Sequence, residues 1–259
     1  MPLSQRSPSI RLLLLSLALA LCSGSAPAAG APLVDVRARL AYWDAAPSGT
    51  VASGDDRFDI DDDLGFGRNG GGMFSLSFEH PAPLLPNFRL HHVSLADSAD
   101  ATIQRTSRFG PVQFQRNEQV HSEYDVTMTG ATFYYSPVNN WVSLDLGVDV
   151  RRLDVQVEMR NRTTGQGDRA GGTAVVPLAY VAARAQLPLT GAYVEGEINA
   201  ISANGDSLQD LRAAVGWEPE GALGIEAGYR RFALDFDDVD DLSADVDFAG
   251  PYLAATLRF

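Results

Sequence analysis

Apolar and polar residues alternate with a period of two along most of this chain. In the stretch WVSLDLGVDV, Val142, Leu144 and Leu146 share one face of an extended strand, while Asp145 and Asp149 share the other. Because a helix repeats its apolar positions every three or four residues, this pattern predicts a β-strand with one apolar face. The alternation recurs in ten segments, which span residues 34–44, 71–79, 87–96, 119–136, 141–158, 173–187, 192–202, 208–218, 223–236 and 243–259.

The connections between these segments are short and long in turn. HPAPLLPN, SPVNN, PLTG and EPEGA are tight and rich in Pro, Gly and Asn, whereas residues 45–70, 97–118 and 160–172 make longer, polar connections. This order is typical of a transmembrane barrel with short periplasmic turns and longer external loops. We therefore expect an all-β fold, a transmembrane antiparallel up-and-down β-barrel of about ten strands. A soluble β-sandwich and a barrel of eight or twelve strands are the alternatives.

The first residues are typical of an export signal. Arg6 and Arg11 precede an apolar run at residues 12–21, and small residues follow it. A run of about ten residues is too short to cross a bilayer as a helix. We expect a signal peptide at residues 1–28 and a β-barrel domain at residues 29–259. Cys22, the single cysteine, lies within the signal, so the mature chain carries no thiol.

Aromatic residues near the predicted strand ends favour the barrel over the sandwich. Tyr and Trp gather at bilayer interfaces, where an apolar ring and a polar tip both find a suitable environment. The candidates for such girdles are Trp43, Tyr134, Tyr135, Trp141, Tyr193, Trp217 and Tyr229.

The final stretch, YLAATLRF, places Leu253, Ala255, Leu257 and Phe259 on one face. It resembles the last strand of bacterial outer-membrane β-barrel proteins, which end in Phe or Trp after alternating apolar residues. Among these proteins the chain is most similar to the small, uncharacterised outer-membrane barrels. The resemblance implies an outer-membrane location and a final strand that the barrel-assembly machinery recognises, with Tyr252, Leu257 and Phe259 carrying the signal. It implies no particular activity.

The predicted inward faces carry charges of both signs. A barrel of ten strands has a narrow lumen that side chains can largely fill, and an unpaired charge inside it is costly. We therefore expect an internal lattice of ion pairs, with a path for small solutes as the alternative. Its predicted members are Arg37, Arg39, Arg184, Arg212, Arg230, Arg258, Glu79, Asp145, Asp149, Glu195, Glu197 and Glu226.

Two acidic runs suggest a weak cation site. Asp59, Asp61 and Asp63 have the one-three-five spacing of a calcium loop, but Leu64 occupies the position where an EF-hand needs Gly. The EF-hand is therefore excluded. A looser Ca²⁺ or Mg²⁺ site, bridging to lipopolysaccharide phosphates, remains a hypothesis beside the simpler interpretation of solvated charge. The last connection would contribute Asp237, Asp238 and Asp240 to it.

The sequence gives little support to catalysis. His121 is followed by Glu123 and Asp125 on the same face near the outer rim, where a His and carboxylate pair could activate water. No serine and histidine motif of the outer-membrane phospholipases or lipid A deacylases accompanies them. We expect no enzyme, no catalytic residue and no cofactor.

The remaining expectations concern partners and function. The formal net charge of −13 argues against nucleic acid as a partner, because phosphate contacts need a basic surface. We expect a monomer in contact with outer-membrane lipids and lipopolysaccharide, with a filled lumen and a structural or surface-interaction role. A small-solute channel or transporter and a hydrolase at the rim are the alternatives.

Overall fold

The computed structural model describes residues 34–53, 56–82, 84–219, 222–239 and 242–259. The predicted signal peptide, with Cys22, lies outside the described residues, as does Asp240. In the described chain there are thirteen β-strands: β1 (Asp35–Ser53), β2 (Asp56–Asp59), β3 (Asn69–Glu79), β4 (Asn87–Thr102), β5 (Ser107–Phe109), β6 (Val112–Phe114), β7 (Gln119–Asn139), β8 (Val142–Asn161), β9 (Gly167–Gln186), β10 (Ala192–Ala203), β11 (Asp206–Trp217), β12 (Leu223–Val239) and β13 (Leu242–Arg258). No described helix is long and apolar enough to cross a membrane.

Ten of these strands form a closed antiparallel barrel, which confirms the predicted fold. Apart from β2, β5 and β6, each strand pairs with the next one in chain order, and β13 pairs with β1 to close the cylinder. The closing ladder runs from the pair of Arg37 with Arg258 to the pair of Ser53 with Leu242. The indole Nε1 of Trp43 donates to the carbonyl oxygen of Gly250 across this seam, at 3.2 Å.

The strands run further outward than the sequence pattern predicted. The expected loops at residues 45–70 and 160–172 were wrong in extent, because β1 continues to Ser53 and β8 and β9 stay paired up to Arg160 and Gly167. Outside the membrane, both faces of a strand can be polar, and the alternation of apolar and polar residues is then lost. Pairing continues nonetheless, because it depends on the backbone.

An apolar belt covers the outer surface of the barrel on the side of the tight turns. It contains exposed large side chains from every wall of the barrel, among them Leu40, Phe74, Leu90, Phe133, Val148, Val181, Ile198, Val215, Ile225 and Leu253. Further along the same strands the outward positions become polar, as at Arg152 and Arg231. An outward apolar band with polar residues beyond it is the surface of a barrel embedded in a bilayer.

The girdle prediction was correct for four of its seven aromatic residues. Tyr135, Trp141, Trp217 and Tyr229 are exposed on the outer surface. Trp43, Tyr134 and Tyr193 are buried instead, because their positions along the strands point them inward. Their polar atoms find partners there: the hydroxyl of Tyr134 donates to Glu79 and that of Tyr193 donates to Glu226.

Candidate functional site

The outer half of the barrel is filled by apolar side chains, here called the apolar plug. Its inserted part comes from the external connections, with Phe58, Leu64 and Phe66 from the first and Phe109 and Phe114 from the β5–β6 hairpin, all buried. Phe58 and Phe109 meet edge to face with ring centroids 6.2 Å apart.

Barrel side chains complete the apolar plug from opposite walls. The ring of Phe66 packs on Tyr124 of β7 at 4.9 Å, and Tyr124 packs on Phe248 of β13 at 5.7 Å. Rings in contact at these distances leave no room for solvent between them. The external connections therefore fill the outer mouth of the barrel.

Deeper in the lumen lies a group of paired charges, here called the central network. It consists of Arg39, Arg89, Arg184, Arg212, Glu195, Glu197 and Glu226. Arg212 lies at its centre and contacts all three carboxylates, with its Nη2 at 2.6 Å from Glu197 and its Nη1 at 3.1 Å from Glu226. Its Nη2 also contacts Glu195.

The other arginines of the central network connect its carboxylates to further strands. Arg89 forms a bidentate pair with Glu197, both bonds being 2.8 Å long. Arg39 of β1 donates to Glu195 of β10 and to Glu226 of β12. Such planar, two-pronged pairing suits the guanidinium group, and it satisfies each buried carboxylate with more than one donor.

A second group of charges, here called the upper network, lies between the central network and the apolar plug. Asp210 accepts from Arg151 at 2.6 Å and from Arg230 at 2.7 and 2.8 Å. Arg151 also contacts Asp149, which His91 approaches at 2.7 Å. The guanidinium of Arg230 stacks over the ring of Trp43.

The predicted lattice residues divide between these two groups and the periplasmic rim. Six of the twelve belong to the central network, namely Arg39, Arg184, Arg212, Glu195, Glu197 and Glu226, and Asp149 and Arg230 belong to the upper one. Glu79 and Asp145 accept hydrogen bonds from Tyr134 and Ser136, and Arg37 comes no closer than 3.9 Å to Glu218. Arg258 pairs with Asp35 at the rim, where its side chain is 49% exposed.

Sequence reasoning missed several members of the two networks, although the alternation contained their signal. Arg151 lies two residues after Asp149 and Asp210 lies two residues before Arg212, so both continue an inward face that had already been recognised. Arg89 lies in a strand whose alternation is less regular. No sequence signal predicted the apolar plug, because its phenylalanines lie in connections without a repeating pattern.

The described residues line at least two spaces inside the barrel. One, of 60 Å³, lies between the two networks and is lined by Arg89, Arg151 and Met73 among others. The other, of 330 Å³, is a polar vestibule at the periplasmic end, lined by residues that include Arg37, Glu79, Asp145, Arg184 and Arg258.

The carboxylates of the first acidic run shape a turn. Asp59 Oδ1 accepts from the backbone N–H groups of Asp61 and Asp62, and Asp63 Oδ2 accepts from the N–H of Asp59 and from Arg105. Among the described residues, no three acidic, His or Cys side chains form a group able to hold a metal ion. The side chains of Asp237 and Asp238 lie outside the described residues.

His121 lies between two carboxylates on the outer surface, above the apolar belt. Its Nδ1 is 2.8 Å from Asp100 and its Nε2 is 3.1 Å from Glu123, whereas Asp125 bonds to Thr127. Arg162 also donates to Asp100, and this bond, followed by the one from His121, lowers the pKa of the Asp100 carboxyl below its ordinary value. Each ring nitrogen of His121 therefore contacts a carboxylate.

The residues of the proposed assembly signal lie on both faces of β13. Tyr252 is buried and donates to Glu226, whereas Phe259 is exposed on the outer surface. The backbone of Phe259 pairs with Val36 of β1, so the described chain is paired up to its last residue.

Comparisons with known proteins give structural likeness without sequence likeness. No protein-family model matches the chain, and no curated protein matches it in sequence. Ail, the attachment invasion locus protein of Yersinia pestis, in complex with the heparin analogue sucrose octasulfate, is 12% identical with a TM-score of 0.39 over 87% of this chain and 99% of its own. The transport unit of the autotransporter AIDA-I from Escherichia coli is 9% identical with a TM-score of 0.38, over 98% of this chain and 100% of its own. The Pseudomonas putida toluene transporter TodX is 8% identical with a TM-score of 0.30, over 88% and 90%.

The architecture determines where the protein resides. The sheet is closed, its outer surface carries an apolar belt, and buried ion pairs lie in its lumen. Closed antiparallel barrels with this surface belong to outer membranes. The chain is a ten-stranded, multi-pass β-barrel protein of the cell outer membrane.

Proposed function

We propose that the barrel does not conduct solutes and that its function, structural or interactive, lies at the cell surface. The observation that carries the proposal is the filled lumen. Between the periplasmic vestibule and the outside, side chains fill the barrel at three levels: the central network, the upper network and the apolar plug. A solute would have to separate buried ion pairs that hold each other in a medium of low dielectric constant.

The outer end offers a large surface for such a role. β7, β8 and β9 continue well beyond the apolar belt and carry polar side chains there, such as Glu123, Glu158 and Arg169. Partners for this surface would include lipopolysaccharide or another cell-surface molecule. The engaged ring of His121 argues against the alternative of a rim hydrolase.

Planar-bilayer recording tests the proposal. The refolded protein should give no discrete conductance steps, whereas a porin reconstituted in parallel should give them. A matched variant with Phe58, Phe109 and Phe114 all replaced by Ser tests whether the apolar plug contributes to closure. Sustained unitary steps from the unaltered protein would overturn the proposal in favour of a small-solute channel.

A further inference from the structure

The barrel wall has a lateral notch on its outer side, above the β10–β11 hairpin. Asn204 and Gly205 make the two-residue turn of that hairpin, both with positive φ, and this turn ends the two strands early. The neighbours on either side continue outward, with β9 starting at Gly167 and β12 ending at Val239. At the level of the hairpin, β9 and β12 are three strand spacings apart, roughly 14 Å.

One wall of the notch is an unpaired strand edge. The ladder between β9 and β10 ends at the pair of Ala179 with Ala200, so residues 167–178 of β9 pair only with β8. Within the described residues no other strand pairs with this edge. A strand edge with free N–H and C=O groups is a template on which another chain can pair.

Pro177 explains why the ladder ends where it does. At the base of β9, Gln186 donates its N–H towards β8 and Leu187 donates its N–H towards β10. Backbone N–H groups alternate in direction along a strand, and the β8–β9 register has no shift. The N–H groups of the even-numbered residues of β9 therefore point towards β8, and those of the odd-numbered residues point towards β10 or, beyond its end, into the notch. Pro177 is odd-numbered and has no N–H, so it cannot donate the next bond of the ladder to β10, which ends shortly afterwards at Ala203.

From Pro177 outward, the edge of β9 that faces away from β8 has no partner strand among the described residues, and both faces of the strand are exposed at residues 171–175. Gly171, Thr173 and Val175 direct their backbone groups into the notch, and all five residues from Gly171 to Val175 are exposed. This includes Gly172 and Ala174, whose positions along the strand point them inward. Among the described residues, none buries this stretch on either face.

The charge around the notch selects the kind of strand that fits. Arg169, at the outer end of the edge, is already paired with Glu158 at 2.5 Å. Across the notch, the last five residues of β12 have the sequence DFDDV, with three aspartates and no basic residue. A segment entering the notch therefore runs beside an acidic strand end, here called the acidic wall, which attracts a basic chain and repels an acidic one.

We infer that this edge of β9 binds an extended, basic segment of a partner protein as an added β-strand. Backbone hydrogen bonds to residues 171–175 would give most of the affinity, and the acidic wall would give the preference for lysine and arginine. The inference rests on the proposed surface role and names its partner chemistry.

The experiment uses the full chain refolded in a nonionic detergent and a fluorescein-labelled peptide of alternating Lys and Val, nine residues long, with binding followed by anisotropy. The key variant is Thr173→Pro, which removes an N–H that points into the notch and none that pairs with β8. Its matched control is Thr173→Ala, since both variants lose the bond from Thr173 Oγ1 to Asp154. Heat-modifiable migration on gels verifies that both variants form barrels.

We expect the peptide to bind the unaltered barrel and Thr173→Ala alike, and Thr173→Pro about tenfold more weakly, because a backbone hydrogen bond is lost and the ring clashes with the added strand. A peptide with Pro in place of every Val keeps the charge but cannot form a ladder, and it should not bind. Equal binding of both peptides, or no loss in Thr173→Pro, would reduce the effect to charge attraction and overturn the inference.

Two other results would also overturn it. One is no binding of the Lys-Val peptide at millimolar concentration. The other is a dimer of the barrel, seen by sedimentation, that Thr173→Pro abolishes, because the occupant would then be a second copy of this chain. Bilayer conductance tests the proposed function separately. A barrel that conducts but binds the peptide contradicts only the proposed function, and a closed barrel that does not bind it contradicts only the inference about β9.

Discussion

Replacing Arg212 by Met should destabilise the barrel more than removing any exposed arginine. Arg212 contacts Glu195, Glu197 and Glu226, and methionine cannot pair with any of them. Removing one partner of a buried ion pair costs about 3–5 kcal/mol, because the charge left behind stays buried.

The lower end of that range applies here. After the substitution Glu197 keeps its bidentate partner Arg89, and both Glu195 and Glu226 keep Arg39. None of the three carboxylates is left without a cation. We therefore expect a loss of about 3 kcal/mol in the free energy of unfolding.

Urea unfolding of the refolded barrel in lipid vesicles, followed by tryptophan fluorescence, measures this loss. Arg231→Met is the matched control, because Arg231 pairs with Asp247 on the outer surface, where its side chain is 49% exposed. That pair should contribute less than about 1 kcal/mol. Equal losses for Arg212→Met and Arg231→Met would refute the reasoning.

Two further predictions concern the rims. Arg258→Glu would place a second carboxylate beside Asp35 at the periplasmic rim and should lower the yield of heat-modifiable barrel. Adding Asp35→Arg should restore the yield. An unchanged yield in the single variant would contradict the role of the pair. Arg162→Gln should raise the pKa of Asp100, because it removes the largest cause of its depression. The group's stabilising contribution is present above its unfolded pKa and is lost as pH falls through the depressed folded value, so the variant should begin to lose it at a higher pH. NMR titration of ¹³C-labelled aspartate measures the shift, and an unmoved pKa would contradict the assignment.

The sequence predicted the strands and their inward faces because lipid and lumen each impose a period of two. Val148 must face lipid and Asp149 must not, and no tertiary information is needed to say so. It could not predict which charges meet. Arg39 reaches Glu195 and Glu226 across the lumen, from a strand that pairs with neither β10 nor β12, and such contacts depend on barrel width and strand tilt.

The same limit explains the aromatic residues. Trp43 and Trp217 both lie near the ends of their predicted strand segments, and composition alone does not distinguish them. What decides is the face of the strand on which each position falls: Trp217 falls on the lipid-facing side, and Trp43 falls on the inner side, where its ring stacks with Arg230. The apolar plug shows the opposite failure, because Phe58 and Phe109 are packed in the mouth by connections that carry no periodic signal at all.

The seam between β1 and β13 has a consequence for how the barrel forms. It joins residues more than two hundred positions apart, such as Trp43 and Gly250. Contacts of such high sequence separation form slowly, because the entropy of closing so large a loop must be lost before any of them stabilises the structure. Until β13 pairs with β1, the growing sheet has two open edges that can pair with other chains. A barrel that is free of edges around its membrane belt once folded is thus most prone to aggregate just before its last strand is in place.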